Sequence, residues 1–326
     1  MNISRRSALG MTIAPLLSAA TPKRVPGKAE VVPKGLWPVM LTPFKQDQSI
    51  DWNALDAITD WYIENGSDGL FACCQSSEVW NLTEDERIQV TARVVKRAGK
   101  IPVVAGGLPG YGVKNVTPFV QRIVDTGARA AVLTTSQVTE KAEPDSLWRD
   151  RVETILNATG NFPFGLYEAP SPYKRLLTPE MMHWAGETGR FVFHKDTSCD
   201  IVAIEAKCKA IQGTPFRFYN ANVETLIDGV HKGADGFSGI AANAYPKVVA
   251  YATHNAKKLE KTGRVQVFLS QSEKILGKKY PLSAKVLANM AGVPIQPVCR
   301  RTIAPLTEEH TQTLRELRKA ADTFLG

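Results

Sequence analysis

Residues 162–198 read FPFGLYEAPSPYKRLLTPEMMHWAGETGRFVFHKDTS and contain one complete strand–helix–strand unit of the predicted fold. The apolar runs FPFGLYEAP (162–170) and FVFHKDTS (191–198) predict two strands. Between them, Thr178 followed by Pro179 predicts the start of a helix, because threonine caps helix N-termini and proline fits the first helical position. Runs that are apolar throughout favour a parallel sheet that is covered on both faces.

The same alternation repeats along most of the chain. Asp51 predicts the start of the first helix, and the capping box of Thr83 and Glu86 predicts the start of the second. Eight strand-like runs follow one another at intervals of roughly 20–35 residues, and each is followed by a helical pattern. The other six runs are LWPVMLTPF (36–44), GLFACC (69–74), PVVAGG (102–107), AAVLTT (130–135), FRFYNAN (216–222) and GFSGI (236–240).

Eight such units within about 220 residues are what a (β/α)8 barrel requires. A doubly wound open sheet is the alternative, but no strand is followed by a GxGxxG turn that opens a helix. Beyond residue 257 the pattern becomes purely helical. We therefore predict an α/β chain, with a TIM barrel over residues 35–258 and a C-terminal helical extension over residues 259–326.

The first twenty residues, MNISRRSALGMTIAPLLSAA, have the features of an export signal. They contain the pair Arg5 and Arg6, no acidic residue, a short apolar stretch and small residues for cleavage after Ala20. This pattern is typical of a twin-arginine signal peptide, with residues 21–34 as a linker, and it predicts export to the periplasm. The alternative is a disordered basic start on a cytoplasmic protein. The apolar stretch is too short to span a bilayer, and no other segment approaches spanning length.

Charge and composition exclude several classes of function. The formal charge is +8 and would fall to +6 after loss of the two signal arginines. Because no basic cluster is interleaved with aromatic residues, this charge indicates solubility and attraction of anionic substrates rather than nucleic-acid binding. The five cysteines include no CxxC pair, and the five histidines show no metal-ligand spacing. We therefore expect no metal site and no disulfide framework.

Lys195 shares a strand face with Phe191 and Phe193 if the strand alternates regularly. Burial lowers the pKa of a lysine, and the neutral amine can attack a carbonyl to form a Schiff base. The resulting iminium is an electron sink for making or breaking a neighbouring C–C bond. Alternatively, Lys195 reaches the rim of the barrel and pairs with Asp196 or Glu168. The strand alone leaves both interpretations open.

Tyr167 lies on the preceding strand, near the level of Lys195. A phenol can both donate and accept a proton, which the carbinolamine intermediate needs. The alternative is a buried tyrosine whose hydroxyl is bonded to the backbone. Polar residues follow several other strands: Gln75, Ser76, Ser77, Glu78, Asn220, Asn222 and Ser238.

Taken in order, the segments GLWPVMLTPF, CQSSE, PVVAGG, LYEAP, HKD and GADGFSGIAAN resemble the dihydrodipicolinate synthase / N-acetylneuraminate lyase family of class I aldolases. The family shows G(T/S)TGE, YNxP and (V/I/G)K(E/D) motifs in that order. The similarity runs from about residue 35 to about residue 306, where the chain reads RRTIAPL. It implies a (β/α)8 barrel with a C-terminal helical extension, usually assembled as a homotetramer.

The resemblance also implies roles for individual residues. Lys195 matches the Schiff-base lysine, and Tyr167 matches the tyrosine that shuttles protons. Ser76 and Ser77 lie in the loop that binds the carboxylate of a 2-oxo acid, largely through backbone N–H groups. Gln75 in the same loop and Ser238 at the end of the eighth strand are further substrate-binding candidates. No cofactor is expected.

The chain departs from the family pattern in the loops that follow the strands. Gln75 stands where the first hydroxyl residue is expected, and Ser77 replaces the second glycine. After the fourth strand the chain reads TTSQVTE, so the tyrosine of the synthase proton relay is absent. Tyr111, in the loop after the third strand, is a candidate substitute.

A further departure concerns the second substrate. Where the synthases carry an arginine that holds its carboxylate, this chain has Pro172, with Lys174 and Arg175 following. These losses, together with the predicted export, argue against dihydrodipicolinate synthase proper.

The leading hypothesis is a lyase that forms a Schiff base with a 2-oxo acid and releases pyruvate, or an analogue, and an aldehyde. A sugar-acid dehydratase using the same iminium is the close alternative. A barrel that binds oxo acids or sugars without turning them over is the alternative from another class. A homo-oligomer, by analogy a tetramer, is expected.

Overall fold

The computed structural model describes residues 30–110 and 113–324. The predicted signal peptide and Tyr111 lie outside the described residues. Within them, eight parallel strands alternate with helices and build the predicted (β/α)8 barrel. The strands are β1 (Gly35–Leu36), β2 (Leu70–Ala72), β3 (Val103–Ala105), β4 (Ala130–Thr134), β5 (Phe164–Tyr167), β6 (Phe191–Asp196), β7 (Arg217–Asn220) and β8 (Gly236–Phe237).

Helices follow the strands, and further helices complete the described chain. In order they are α1 (Trp52–Glu64), α2 (Glu84–Ala98), α3 (Val113–Asp125), α4 (Asp145–Ala158), α5 (Pro179–Glu187), α6 (Ile201–Ala210), α7 (Leu226–His231), α8 (Pro246–His254), α9 (Leu259–Leu276), α10 (Leu282–Met290) and α11 (Glu308–Phe324).

The strands are hydrogen-bonded in the order β1-β8-β7-β6-β5-β4-β3-β2. The segment after β1 closes the barrel against β2, because Val39 and Phe71 form a parallel bridge. Met40 donates its backbone N–H to the carbonyl oxygen of Phe71 at 3.0 Å, and the N–H of Phe71 reaches the oxygen of Pro38 at 3.0 Å. Closure brings the carboxyl ends of all eight strands to one rim, where barrel active sites lie.

The predicted helix starts are confirmed. Asp51 caps α1 through its side chain, and Thr83 and Glu86 form the reciprocal capping box of α2. Thr178 caps α5, with Pro179 at its first position. These caps satisfy N–H groups that have no partner within the helix.

A bulge in β6 corrects the predicted face of Phe191. Phe191 pairs with Phe164, but the next pair is Phe193 with Gly165, so Val192 is an extra residue. Phe191 consequently packs outside the barrel, with its ring 5.6 Å from that of Phe216. The prediction that Phe191 shares a face with Lys195 is wrong, because the bulge shifts the alternation before Phe193.

The barrel interior is largely aromatic beneath the rim. The ring of Phe193 stacks on Tyr219 at 4.8 Å between centroids and lies 5.2 Å from Trp37. The ring of Phe71 lies 5.5 Å from that of Phe193 in an edge-on arrangement. These side chains and Tyr167 belong to one buried cluster, which excludes water from the floor of the barrel.

The three helices α9–α11 pack against the barrel rather than apart from it. Leu269, Leu287 and Leu314 belong to the same buried cluster as Leu36 and Phe237 of the barrel. No helix among the described residues is both long enough and apolar enough to cross a membrane.

A buried ion pair also ties the extension to the loop after β2. The ammonium of Lys285 on α10 contacts the carboxylate of Glu78 at 2.7 Å, and both side chains are fully buried. The backbone N–H of Arg301 donates to the second carboxylate oxygen of Glu78 at 2.9 Å. Both carboxylate oxygens therefore have partners, as a buried charge requires.

Candidate active site

Lys195 occupies the barrel interior near the carboxyl end of β6. It is paired across the sheet with Tyr167 of β5, and only 4% of its surface is exposed. Its Nζ lies over the Tyr167 ring, 4.4 Å from the centroid. Burial lowers the pKa of Lys195 to about 8, so far more of it is the neutral amine near neutral pH than for an exposed lysine. A lysine in this state is a nucleophile for carbonyl carbon.

Tyr167 forms one wall of the pocket around that amine. Its ring packs edge-on against Phe71 at 5.8 Å, and the residue is 6% exposed. Burial raises the pKa of the Tyr167 hydroxyl, which keeps it a phenol that can donate a hydrogen bond. The adjacent strands thus place an amine and a phenol together.

The carboxylates that follow these two residues do not pair with Lys195. Lys207 of α6 instead contacts Glu168 and Asp196, each at 2.6 Å. This buried network fixes the ends of β5 and β6 from behind the barrel wall. The rim-lysine interpretation named Glu168 and Asp196 as partners for Lys195, and Lys207 takes that role.

His194 completes the network as a neutral ring. Burial lowers the pKa of His194 to about 4, and burial next to Asp196 raises that of Glu168 to about 8. Asp196 is itself buried, but its contacts with His194 and Lys207 hold its pKa below the usual range. Glu168, His194 and Asp196 have the donor types and spacing of a metal site. The cation between the two carboxylates is the ammonium of Lys207.

The loop after β2 contains three of the predicted binding residues, and two side chains support the loop itself. Gln75 donates its side-chain N–H to the carbonyl of Ser171 at 2.8 Å. The Ser77 hydroxyl donates to the carbonyl of Met40 at 2.6 Å and accepts the N–H of Cys74 at 3.2 Å. These contacts hold the loop between the first and fifth strands.

Residues 75–77 form a single helical turn. The first N–H groups of such a turn, those of Gln75 and Ser76, have no acceptor within the turn and are available to a carboxylate. The hydroxyl of Ser76 is buried and hydrogen-bonded to that of Tyr280. The loop therefore offers backbone donors rather than free side chains.

Ser238 lies at the end of β8, where its N–H donates to the carbonyl of Asn220 at 2.8 Å. The side chain is fully buried, and its hydroxyl has no hydrogen-bond partner within the described part of the chain. An unpartnered hydroxyl at the rim is consistent with the predicted binding role. No contact given by the structure joins it to Lys195.

Two residues of the extension reach the site and were not predicted. Tyr280, between α9 and α10, accepts a hydrogen bond from Asn243 at 2.6 Å, and it interacts electrostatically with Tyr167. Glu273 on α9 interacts electrostatically with Lys195. A helical sequence pattern carries no signal that one turn of α9 faces the barrel mouth, so sequence reasoning could not find them.

The residues considered as substitutes for the missing synthase residues differ in their surroundings. Tyr111 lies outside the described residues. Arg175 is 8% exposed and donates to the carboxylate of Asp145 at 2.6 Å, so its charge is already matched. Lys174 donates to the carbonyl of Thr197 at 2.6 Å.

A (β/α)8 barrel with a buried lysine on β6 beside a tyrosine on β5 fits the class I aldolases and lyases that the sequence motifs resemble. The model of the Dihydrodipicolinate synthetase family matches residues 32–321 of this chain. The chain belongs to that family, as its motifs indicate, and it is an enzyme of the class I aldolase or lyase type.

Relatives place the chain at low identity within the family. It is 29% identical to 4-hydroxy-tetrahydrodipicolinate synthase of Parabacteroides distasonis over 226 residues, covering 67% of this chain and 73% of that protein. Its identity to the enzyme of the same name from Oceanobacillus iheyensis is 27% over 285 residues, covering 85% and 94%. At this level of sequence identity the chain and its relatives share the family, but a shared family does not identify the substrate.

Solved structures share the fold. The chloride-inhibited dihydrodipicolinate synthase of Acinetobacter baumannii, complexed with pyruvate, superposes with a TM-score of 0.79 at 24% identity, covering 89% of this chain and 99% of that chain. CdNal from Clostridium difficile, in complex with mannosamine, gives a TM-score of 0.78 at 18% identity, covering 88% and 99%.

Proposed function

We propose that the enzyme is a lyase that binds a 2-oxo acid as a Schiff base on Lys195 and cleaves the bond between C3 and C4. The observation that carries the proposal is the buried amine of Lys195, whose Nζ lies 4.4 Å from the centre of the Tyr167 ring. Burial favours the neutral amine, and a phenol on the neighbouring strand supports proton transfer in the reaction that the amine begins.

The proposed steps use groups already in place. Lys195 attacks the C2 ketone, and loss of water from the carbinolamine leaves an iminium. The electrons of the C3–C4 bond then move toward the iminium, which produces an enamine and releases an aldehyde. Protonation at C3 and hydrolysis return the amine and release pyruvate or an analogue. Tyr167 carries protons to and from the oxygen at C2, and the N–H groups of Gln75 and Ser76 hold the carboxylate.

We do not propose the condensation that gives the curated relatives their name. Its second substrate carries a carboxylate, and Arg175 already donates to Asp145. Gln75, where the synthases have a hydroxyl, holds the carbonyl of Ser171. These contacts argue against a site for that second substrate, so the proposal is cleavage of another 2-oxo acid.

Borohydride reduction with pyruvate tests the proposal. We expect a covalent adduct that peptide mass spectrometry locates at Lys195. Lys195→Ala should abolish it, whereas Lys174→Ala, which removes an exposed lysine near the rim, should preserve it. Absence of an adduct with every 2-oxo acid tested would favour a non-catalytic binding barrel.

Identification of the products separates lyase from dehydratase. A lyase releases an aldehyde and pyruvate, whereas a dehydratase keeps the carbon chain intact and releases water. We expect the aldehyde. An unbroken carbon chain in the product would replace the lyase with the dehydratase while retaining Lys195 as the nucleophile.

A further inference from the structure

A cavity of about 500 Å³ lies between α10, α11 and the segment that joins these two helices. Pockets of this size hold small molecules, and most are apolar with a few polar groups that orient the ligand. None of the residues that line this cavity belongs to a barrel strand or to the loop after β2. The lining consists of Leu282, Val286, Pro297, Val298, Cys299, Arg301, Ile303, Pro305, Leu306 and Thr311.

Arg301 gives this lining a positive charge that no neighbour neutralises. Its guanidinium forms no hydrogen bond or ion pair with any residue in the ranges that the structure describes. The preceding Arg300, by contrast, donates to both carboxylate oxygens of Glu86 at 2.6 Å. Arg301 therefore has donors to offer to a molecule in the cavity.

The two other polar side chains of the lining add no charge. The hydroxyl of Thr311 donates to the carbonyl of Thr307 at 2.9 Å. Burial raises the pKa of the Cys299 thiol to about 11, so the thiol is uncharged near neutral pH. A matching ligand has an apolar body and one anionic group. A carboxylate pairs with a single guanidinium through two hydrogen bonds, whereas a phosphate dianion would keep part of its charge unmatched among apolar walls.

The wall of the cavity also anchors the loop after β2. The carbonyl of Val298 accepts a hydrogen bond from the ammonium of Lys285 at 2.6 Å. The backbone N–H of Arg301 donates to the carboxylate of Glu78 at 2.9 Å. Lys285 and Glu78 are the fully buried ion pair that joins the extension to this loop. Two backbone groups of the cavity wall therefore hold both members of that pair.

Glu78 connects this anchor to the turn of residues 75–77. Its N–H donates to the carbonyl of Gln75 at 3.1 Å, and its own φ is 55°. A glutamate seldom adopts this left-handed conformation unless surrounding contacts hold it there. The contacts from Lys285 and Arg301 supply that support. The position of the turn therefore depends on the segment that lines the cavity.

We propose that this cavity is a second binding site, which takes a small apolar molecule with one carboxylate paired to Arg301, and that its occupant strengthens pyruvate binding. The site itself goes beyond the proposed function, whereas the effect on pyruvate rests on the proposed role of the 75–77 turn. An occupant packed on Val298 and Arg301 stabilises the arrangement in which their backbone groups hold Lys285 and Glu78. Because both ligands favour this arrangement, each raises the affinity for the other by the same factor.

Calorimetric titration with 2-naphthoate tests the site, because this probe has a rigid apolar body and a carboxylate but no ketone that Lys195 could attack. The amide 2-naphthamide has nearly the same shape without the charge. We expect the wild-type enzyme to bind 2-naphthoate about 10-fold or more tightly than 2-naphthamide, as for hydrogen bonds to a charged group. Arg301→Gln should remove this difference. Arg264→Gln is the matched control and should keep it, since Arg264 is exposed on α9 outside the lining.

Two results would overturn the site. One is equal binding of the two probes to the wild-type enzyme, or a difference that Arg301→Gln retains. The other is a crystal structure of the assembled enzyme in which a second copy of the chain covers the cavity.

The effect on pyruvate is measured by titrating pyruvate with and without saturating 2-naphthoate. We expect the apparent Kd for pyruvate to fall about fivefold or more in the wild type and to stay unchanged in Arg301→Gln. An unchanged Kd in the wild type would overturn the coupling. Weaker pyruvate binding in both enzymes would overturn it too, because the probe would then compete with pyruvate in the active site.

The second site and the proposed function fail differently. An enzyme that binds 2-naphthoate through Arg301 but gives no borohydride adduct with any 2-oxo acid would contradict the proposed function and support the second site. An enzyme that forms the adduct at Lys195 but does not bind 2-naphthoate would contradict only the second site.

Discussion

Lys195 is the residue on which the proposed chemistry depends. Its amine sits among aromatic side chains and next to a phenol, and the loss of solvation of the charged form outweighs the electrostatic attraction of Glu273. The neighbouring carboxylates of Glu168 and Asp196 are bound by Lys207 instead. The pocket therefore favours the neutral nucleophile.

The pH dependence of adduct formation follows from this burial. Only the deprotonated amine attacks the ketone, and burial lowers the pKa of Lys195 to about 8. We expect the rate of adduct formation to rise with pH up to about 8 and then to level off, as measured by timed borohydride quenching. A rate that keeps rising toward about pH 10, as for an exposed lysine, would contradict the burial argument.

Tyr167→Phe should separate proton transfer from packing. The substitution keeps the aromatic ring beside Nζ of Lys195 and removes only the hydroxyl. We expect kcat to fall about 100-fold to 10,000-fold, the usual contribution of general acid–base catalysis, while the pyruvate adduct still forms. Turnover at the wild-type rate would show that another group carries the proton.

At the residue scale, the sequence predicts the lysine and the tyrosine because both follow the strand period and match a family motif. It misplaces Phe191, because a bulge at Val192 depends on how β6 pairs with β5 and leaves no local sequence signal. The unpredicted burial of Ser77 against Met40 has the same origin, since it joins residues far apart in the chain.

Among the elements, β5, β6 and α6 form a unit held by buried charge. Lys207 reaches from α6 to Glu168 and Asp196, which directly follow Tyr167 and Lys195 in the chain. The same contacts that stabilise the strand ends therefore fix the spacing of Lys195 and Tyr167, the proposed catalytic pair.

Lys207→Met should be strongly destabilising. It would leave two buried carboxylates without their cation, and losing one partner of a buried ion pair costs about 3–5 kcal/mol in unfolding free energy. Lys209→Met on the same helix is the control, because Lys209 is exposed and its surface pair with Glu205 contributes little to stability. Urea unfolding measures the free energy of unfolding of both variants. Similar losses of unfolding free energy in the two variants would contradict a special stabilising role for the Lys207 network.

At the element scale, the strands and several helix starts are predicted well, because apolar runs and capping residues are local signals. Asp51, Thr83 and Thr178 all cap as expected. The Lys207 network could not be predicted from the sequence. Lys207 and Lys209 both lie on α6, and only the packing of that helix makes Lys207 the buried one and Lys209 the exposed one.

In the whole molecule, the C-terminal extension contributes residues to the rim of the barrel. The helix α9 contributes Glu273, and the segment before α10 contributes Tyr280, which is joined to Asn243 and Ser76. The extension thus contributes polar residues near the proposed active site as well as part of the hydrophobic core. This arrangement depends on contacts between distant parts of the chain, which composition and periodicity do not encode.

Export remains a prediction from the first twenty residues. We expect fractionation of the native host to place the enzyme outside the cytoplasm, with a mature N-terminus after Ala20. A mature protein that retains Arg5 and Arg6 would count against the signal. The homotetramer is likewise a prediction, which analytical ultracentrifugation of the purified enzyme can check.

The most direct test of the central claim is a crystal structure of the enzyme soaked with pyruvate. We predict continuous electron density from Nζ of Lys195 to C2 of the ligand, with the carboxylate against the N–H groups of Gln75 and Ser76. Pyruvate bound in the barrel but separated from Nζ by a non-bonded distance, at a pH above 8, would contradict Schiff-base chemistry at this lysine.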